Sequence, residues 1–154
     1  YGIDATCLRL FTIYGPGQNM SNLRQGMVSI FLELIMSGQD PVVVHGSLDR
    51  FRDLLHIDDL LEILSRLLDL DLDGYHTFNV GTGQKTTVRE IIQIICKTLN
   101  MQPTISSKGN TLGDFFGAQA DMNKLTDVIN YIPRISARNG ITSYVKWYRD
   151  IRES

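Results

Sequence analysis

Cysteine is scarce in this sequence, and its two thiols, Cys7 and Cys96, stand far apart. That excludes a disulfide framework and a thiolate metal cluster, and it points to a reducing, cytoplasmic setting. The three histidines, His45, His56 and His76, lack metal-ligand spacing, so no metal is expected. Neither charge sign is in excess: 15 basic and 17 acidic side chains are scattered without a long block of either. No basic stripe advertises nucleic acid, and any bound anion must be held locally. No apolar run approaches the roughly 20 residues that cross a bilayer, so no membrane partner is expected. Also missing are a Walker loop and a Gly-x-Ser-x-Gly nucleophile elbow, which removes sequence support for nucleotide hydrolysis and acyl transfer.

What is present alternates strand and helix signals over a length suited to one domain. Residues 6 to 13 are β-branched and bulky and run into Tyr14-Gly15-Pro16-Gly17, a strand stopped by turn chemistry. Residues 25 to 37 place Met27, Val28, Ile30, Phe31, Leu34 and Ile35 at helical spacing before Gly38. Asp40-Pro41 opens a short strand through His45, and residues 54 to 57 read as another. Asp58 is placed to cap a helix whose leucine stripe runs from Leu60 to Leu68 and which Asp73-Gly74 ends. After a strand over 76 to 80, Thr87 and Glu90 form a capping box for the next helix. A loop with Pro103 and Gly109, a short helix capped by Asp121 and an amphipathic helix over 137 to 151 complete an α/β pattern with a few short strands and several amphipathic helices.

Gly81-Thr82-Gly83 lies between a strand and a helix, the setting of a dinucleotide fingerprint. It lacks the third glycine, where Thr86 stands, its strand is polar, and no acidic residue follows about 20 positions on to hold a ribose. A plain strand-to-helix turn is the better reading. Asp58 and Asp59 are adjacent and point apart, so they do not read as an acid–base pair.

Four segments share an order and spacing with a known family. They are residues 8 to 18, Leu-Arg-Leu-Phe-Thr-Ile-Tyr-Gly-Pro-Gly-Gln; residues 51 to 59, Phe-Arg-Asp-Leu-Leu-His-Ile-Asp-Asp; Phe78-Asn79-Val80-Gly81-Thr82-Gly83; and Gly113-Asp114 followed by Ala120-Asp121. Together they resemble the second half of the extended short-chain dehydrogenase/reductases, the family of UDP-glucose 4-epimerase, UDP-glucuronate 4-epimerase and dTDP-glucose dehydratase. The resemblance covers nearly the whole chain. It implies a small nucleotide-sugar-binding part over residues 1 to 154, NAD as cofactor, a UDP-sugar substrate in the making of surface polysaccharide, and a homodimeric parent.

In that family a glycine-rich loop binds NAD and a Tyr-x-x-x-Lys pair handles the proton. Neither occurs here, since none of the five lysines has tyrosine four residues before it. The resemblance puts both elements, with a Rossmann-type half, ahead of Tyr1, so this chain alone is expected to be inactive. Of the family's site residues, Arg52 matches the arginine that reaches the diphosphate, a role suited to a fork of N–H donors; a salt bridge with Asp53 is the structural alternative. Val43 and His45 match the base-binding strand, where alternate residues share a face, against an ordinary edge strand. Thr12 falls where relatives contact sugar or phosphate, and Phe11 and Thr12 end a strand that should lie under the nicotinamide. Met27 and Val28 match the helix that closes over the nucleotide, although as apolar helix residues they read as core. Asp114 matches an aspartate near the ribose. Relatives often read Arg-x-Gly-Asp there, whereas Thr111 stands in the arginine's place, and Arg24 in a lengthened loop is the candidate replacement. A dehydratase or reductase of the same fold, or a non-catalytic nucleotide-binding module, is the alternative function.

Overall fold

The computed structural model describes residues 2–22, 26–109 and 115–153, among which eight short strands and five helices are formed. The first extended segment is two strands, where one over 6 to 13 is expected. β1 (Ala5–Leu10) runs parallel to β6 (Tyr75–Val80), and β2 (Thr12–Tyr14) runs parallel to β5 (Leu54–His56). The change of partner takes one residue: Phe11 donates its N–H to the Val80 carbonyl at 2.9 Å, and Thr12 donates to the Asp53 carbonyl at 3.1 Å. Sequence pattern cannot show this break, because both halves are equally β-forming. β3 (Val42–His45) pairs in parallel with β8 (Ile105–Lys108), and β4 (Phe51–Arg52) pairs antiparallel with β7 (Thr86–Thr87).

The helices follow their apolar stripes. α1 (Met27–Met36) buries Val28, Phe31, Leu32 and Ile35. α2 (Ile57–Leu68) corrects the expected cap: its N-cap is His56, whose ring Nδ1 accepts the Asp58 N–H at 3.3 Å, and it stops at Leu68, short of Asp73. Asp59 turns inward instead, only 2% exposed. It accepts from the Tyr131 hydroxyl at 2.6 Å and from the N–H groups of Arg134 and Ile135 at 3.0 and 2.9 Å. This carboxylate fastens the link between α4 (Asn123–Ile129) and α5 (Ala137–Glu153) to the start of α2. α3 (Val88–Leu99) carries the expected capping box. The Thr87 N–H and hydroxyl both bond the Glu90 carboxylate and hold its pKa below the ordinary range. Asp121 accepts the Asn123 N–H at 3.1 Å, from one residue before the N-cap of α4.

Two apolar cores result, and β5 divides them. Leu54 faces the cluster made by α1, α3 and α5 with Val42 and Val44 of β3, while Leu55 faces Ile63, Phe78, Val80 and Leu125. Successive strand residues point to opposite sides, so one three-residue strand serves both cores. Burying each such leucine contributes about 1.5–3 kcal/mol. β1 is different: five of its six residues are exposed, including Leu10 at 50%, and among the described residues only β6 pairs with it. Parallel strands are ordinarily covered on both faces.

Under the Tyr14-Gly15 turn, the Tyr14 and His56 rings meet edge to face at 5.5 Å. Burial raises the pKa of the Tyr14 hydroxyl. Both rings press on Gly140 of α5, where an added Cβ would lie 3.0 Å from His56 Cδ2 and far inside contact distance of the Tyr14 hydroxyl. In an open helix, Gly→Ala gains about 1 kcal/mol. Here overpacking reverses the sign, and Gly140→Ala is expected to lower the unfolding free energy by about 1–3 kcal/mol in a urea titration. A stabilised variant would show that α5 does not sit against these rings.

Candidate functional site

A cleft of about 540 Å³ opens between α1 and the end of β3. Helix α1 has two apolar faces. Val28, Leu32 and Ile35 point into the core, while Met27, Ile30 and Leu34 form one wall of the cleft. The opposite side comes from β3, where strand alternation buries Val42 and Val44 and turns Val43 and His45 to the cleft. Thr12, Arg50 and Arg52 line it as well. The slot is therefore apolar along its α1 wall, while Thr12, Gln39, His45, Arg50 and Arg52 add polar and basic groups to its lining.

A second recess of about 320 Å³ adjoins it, lined by Leu10, Phe11, Thr12, Arg52, Asp53 and Phe115. Thr12 and Arg52 line both spaces. Phe11 belongs to the recess alone. Of the residues singled out from sequence, the fold thus gathers Thr12, Val43, His45 and Arg52 around one cleft and Phe11 beside it. Met27 lines the cleft, whereas Val28 is core. Arg24 and Asp114 lie outside the described residues. Arg50 was not legible as a site residue within a segment that looks merely charged. Its one signal is its place two residues before Arg52, which in extended chain puts both on one face.

Arg52 is held by its neighbours. Its Nη1 donates to the Phe51 carbonyl at 2.8 Å and to the Phe115 carbonyl at 3.4 Å, and its guanidinium lies 4.3 Å from the centre of the Phe115 ring. Partial burial lowers its pKa, and the nearby positive charge of Arg50 adds to the effect. An arginine remains charged under such shifts.

Asp53 takes the other side of the chain. Its carboxylate, 1% exposed, accepts the Thr82 N–H at 2.7 Å, the Thr82 hydroxyl at 2.6 Å, the Gly83 N–H at 2.8 Å and the Ala120 N–H at 3.0 Å. The Gly81-Thr82-Gly83 turn is thus an anion cradle for the protein's own carboxylate. Gly81 is required for that approach, since a Cβ there would lie 2.7 Å from Asp53 Oδ2 and 2.7 Å from the Ala120 Cβ. A bound dinucleotide has no claim on these amides, in line with the plain-turn reading of the glycine pair.

Comparison with known proteins adds an independent line. The model of the NAD dependent epimerase/dehydratase family matches residues 1–81. UDP-glucuronic acid decarboxylase 1 of Arabidopsis thaliana is 28% identical over 97% of this chain and 33% of its own length. The solved UDP-glucose 4-epimerase of Thermotoga maritima with UDP-glucose is 25% identical, with a TM-score of 0.86 over 96% of this chain and 46% of that one. The UDP-glucose 4-epimerase of Thermus thermophilus in complex with NAD is 26% identical, with a TM-score of 0.78 over 94% and 46%. The chain spans half or less of the length of these relatives.

The Asp53 cradle yields a stability test. In Asp53→Asn the amide nitrogen faces N–H donors and cannot accept, so at least one charged hydrogen bond is lost and a buried donor is left over. Unfolding by urea should show a loss of about 2–4 kcal/mol. An unchanged midpoint would mean the carboxylate does not close that turn.

Proposed function

Because the chain belongs to the NAD dependent epimerase/dehydratase family, we propose that it is the nucleotide-sugar-binding portion of an NAD-dependent enzyme of the UDP-glucose 4-epimerase type. The observation that carries this reading is the convergence of Thr12, Val43, His45 and Arg52 on one cleft that has an apolar helix wall. A flat base suits the slot between α1 and β3, where Val43 and His45 offer a side chain and an edge. The diphosphate then reaches Arg52, whose planar fork binds phosphate oxygens in pairs. The sugar enters the smaller recess, where Thr12 supplies a hydroxyl and Phe11 a wall.

NAD supplies the redox chemistry when bound. We assign Phe11 and Thr12 to its nicotinamide end, because both line the recess where β1 stops. The dinucleotide's own phosphates need other partners, since the glycine turn is committed to Asp53. We assign them to a Rossmann-type portion that docks on the exposed β1, and we assign homodimerisation to that portion as well. Exposed Ile3, Leu10 and Tyr75 beside the open edge support such a docking. With no Tyr-x-x-x-Lys pair in its sequence, this chain binds and orients substrate and leaves proton transfer to that portion. The decarboxylase among the relatives favours a second reading, in which the same cleft serves a decarboxylase, dehydratase or reductase of UDP-sugars.

Calorimetric titration with UDP, UDP-glucose and dTDP tests the reading. Binding of the uridine ligands is expected, with Arg52→Ala weakening it about tenfold or more through loss of charge-assisted bonds. Uridine nucleotide binding indifferent to Arg52, or no binding at all, would overturn it.

A further inference from the structure

Helix α1 is one wall of the cleft, and its N-cap supplies no side chain to fix its start. That residue is Gly26, with φ of 86°. A residue further back in the chain holds the entry instead. Gln18, half-buried after the Tyr14-Gly15 turn, donates from Nε2 to Ser29 Oγ at 3.1 Å, 11 residues on. Ser29, 1% exposed, donates in turn to the Gly26 carbonyl at 2.8 Å. The bonds therefore run from Gln18 through the first turn of α1 to the residue that starts it.

Gln18 is itself anchored from α5. Its Oε1 accepts the Tyr144 hydroxyl at 3.1 Å, and that hydroxyl also lies 2.7 Å from Met20 Sδ. Tyr144 is fully buried, and burial raises its pKa, so the hydroxyl keeps its proton and stays a donor. On the other side, a Cβ at residue 26 would overlap Gln18 Nε2 and lie 2.6 Å from Ser29 Oγ, so the amide packs on bare backbone. Gly26 and Met27 line the cleft, whereas Gln18 lines a separate recess with Pro16 and Ile57. We propose that Gln18 is a positioning residue that sets the Gly26–Met27 turn at the cleft, so that ligand affinity depends on a side chain the ligand does not touch. The inference rests on the nucleotide-sugar reading and deepens it. Without the link to α5 the turn samples other positions, and binding has to order it first.

The competing role is stability alone, as for any satisfied polar group in a core. Calorimetric titration of the 154-residue chain with UDP-glucose, beside urea unfolding of each variant, separates the two. Gln18→Met keeps the length and removes both bonds, and it should weaken UDP-glucose about three- to tenfold. Ser29→Ala cuts the α1 side and spares the Tyr144 bond, so a loss of about threefold is expected. The double variant should bind no worse than Gln18→Met, because both changes break one link. Leu125→Ala, in the core on the other side of β5, is the control: it should lower the urea midpoint and leave affinity unchanged. Should Gln18→Met not fold, Ser29→Ala decides. Wild-type affinity in both single variants, losses that add in the double variant, or an equal loss in Leu125→Ala would each overturn the inference alone. A wild-type chain that did not bind UDP-glucose would overturn the nucleotide-sugar reading and the inference with it.

Discussion

The closure of the Asp53 carboxylate into the Gly81-Thr82-Gly83 turn is the contact on which the cleft depends. It ties residue 53 to positions 29, 30 and 67 residues further along the chain. Asp53 stands between Arg52, which faces the cleft, and Leu54, which begins the strand dividing the two cores. Fixing its side chain inward fixes the alternation on either side. The same backbone also receives the Thr12 N–H through the Asp53 carbonyl, so Thr12 and Arg52 are set relative to one another by one residue. Buried charge of this kind is worth its desolvation only when its acceptors are filled, and here four donors fill them.

The site lies where the chain changes partner. β1 ends on β6 and β2 begins on β5, with Phe11 at the step, and the two recesses meet there. Crevices at such switches are where open α/β folds hold ligands. Side chains on short strands point into the cleft, while β1 stays exposed on the opposite side of that step. On the proposed reading, the diphosphate falls to Arg52 and the base to the slot beneath α1.

Much of this was legible in sequence wherever local pattern carries the information. The stripes of α1, α2, α3 and α5, the Thr87–Glu90 box and the strand at 42 to 45 follow from periodicity and capping chemistry. Thr12, Val43, His45 and Arg52 were found through the family resemblance, and the fold brings them together. What escaped depends on partners distant in sequence. β4 and β7 are two residues long and show no period, and β8 carries a single apolar residue among four. Asp58 looks like a helix cap, yet His56 takes that place and Asp59 is drawn inward by Tyr131 and the 134–135 backbone. Asp53 looks like a salt-bridge partner for Arg52, and only the folded turn reveals its four donors. Arg50 is hidden in a charged segment until Gly46 is seen to make room for it.

A crystal structure of the chain with UDP-glucose tests the central claim most directly. The uracil should lie between α1 and Val43–His45, with the diphosphate on Arg52 and the hexose in the recess beside Thr12. Density for the nucleotide elsewhere, such as the groove of about 500 Å³ lined by Lys85, Lys97 and Arg138, would contradict it.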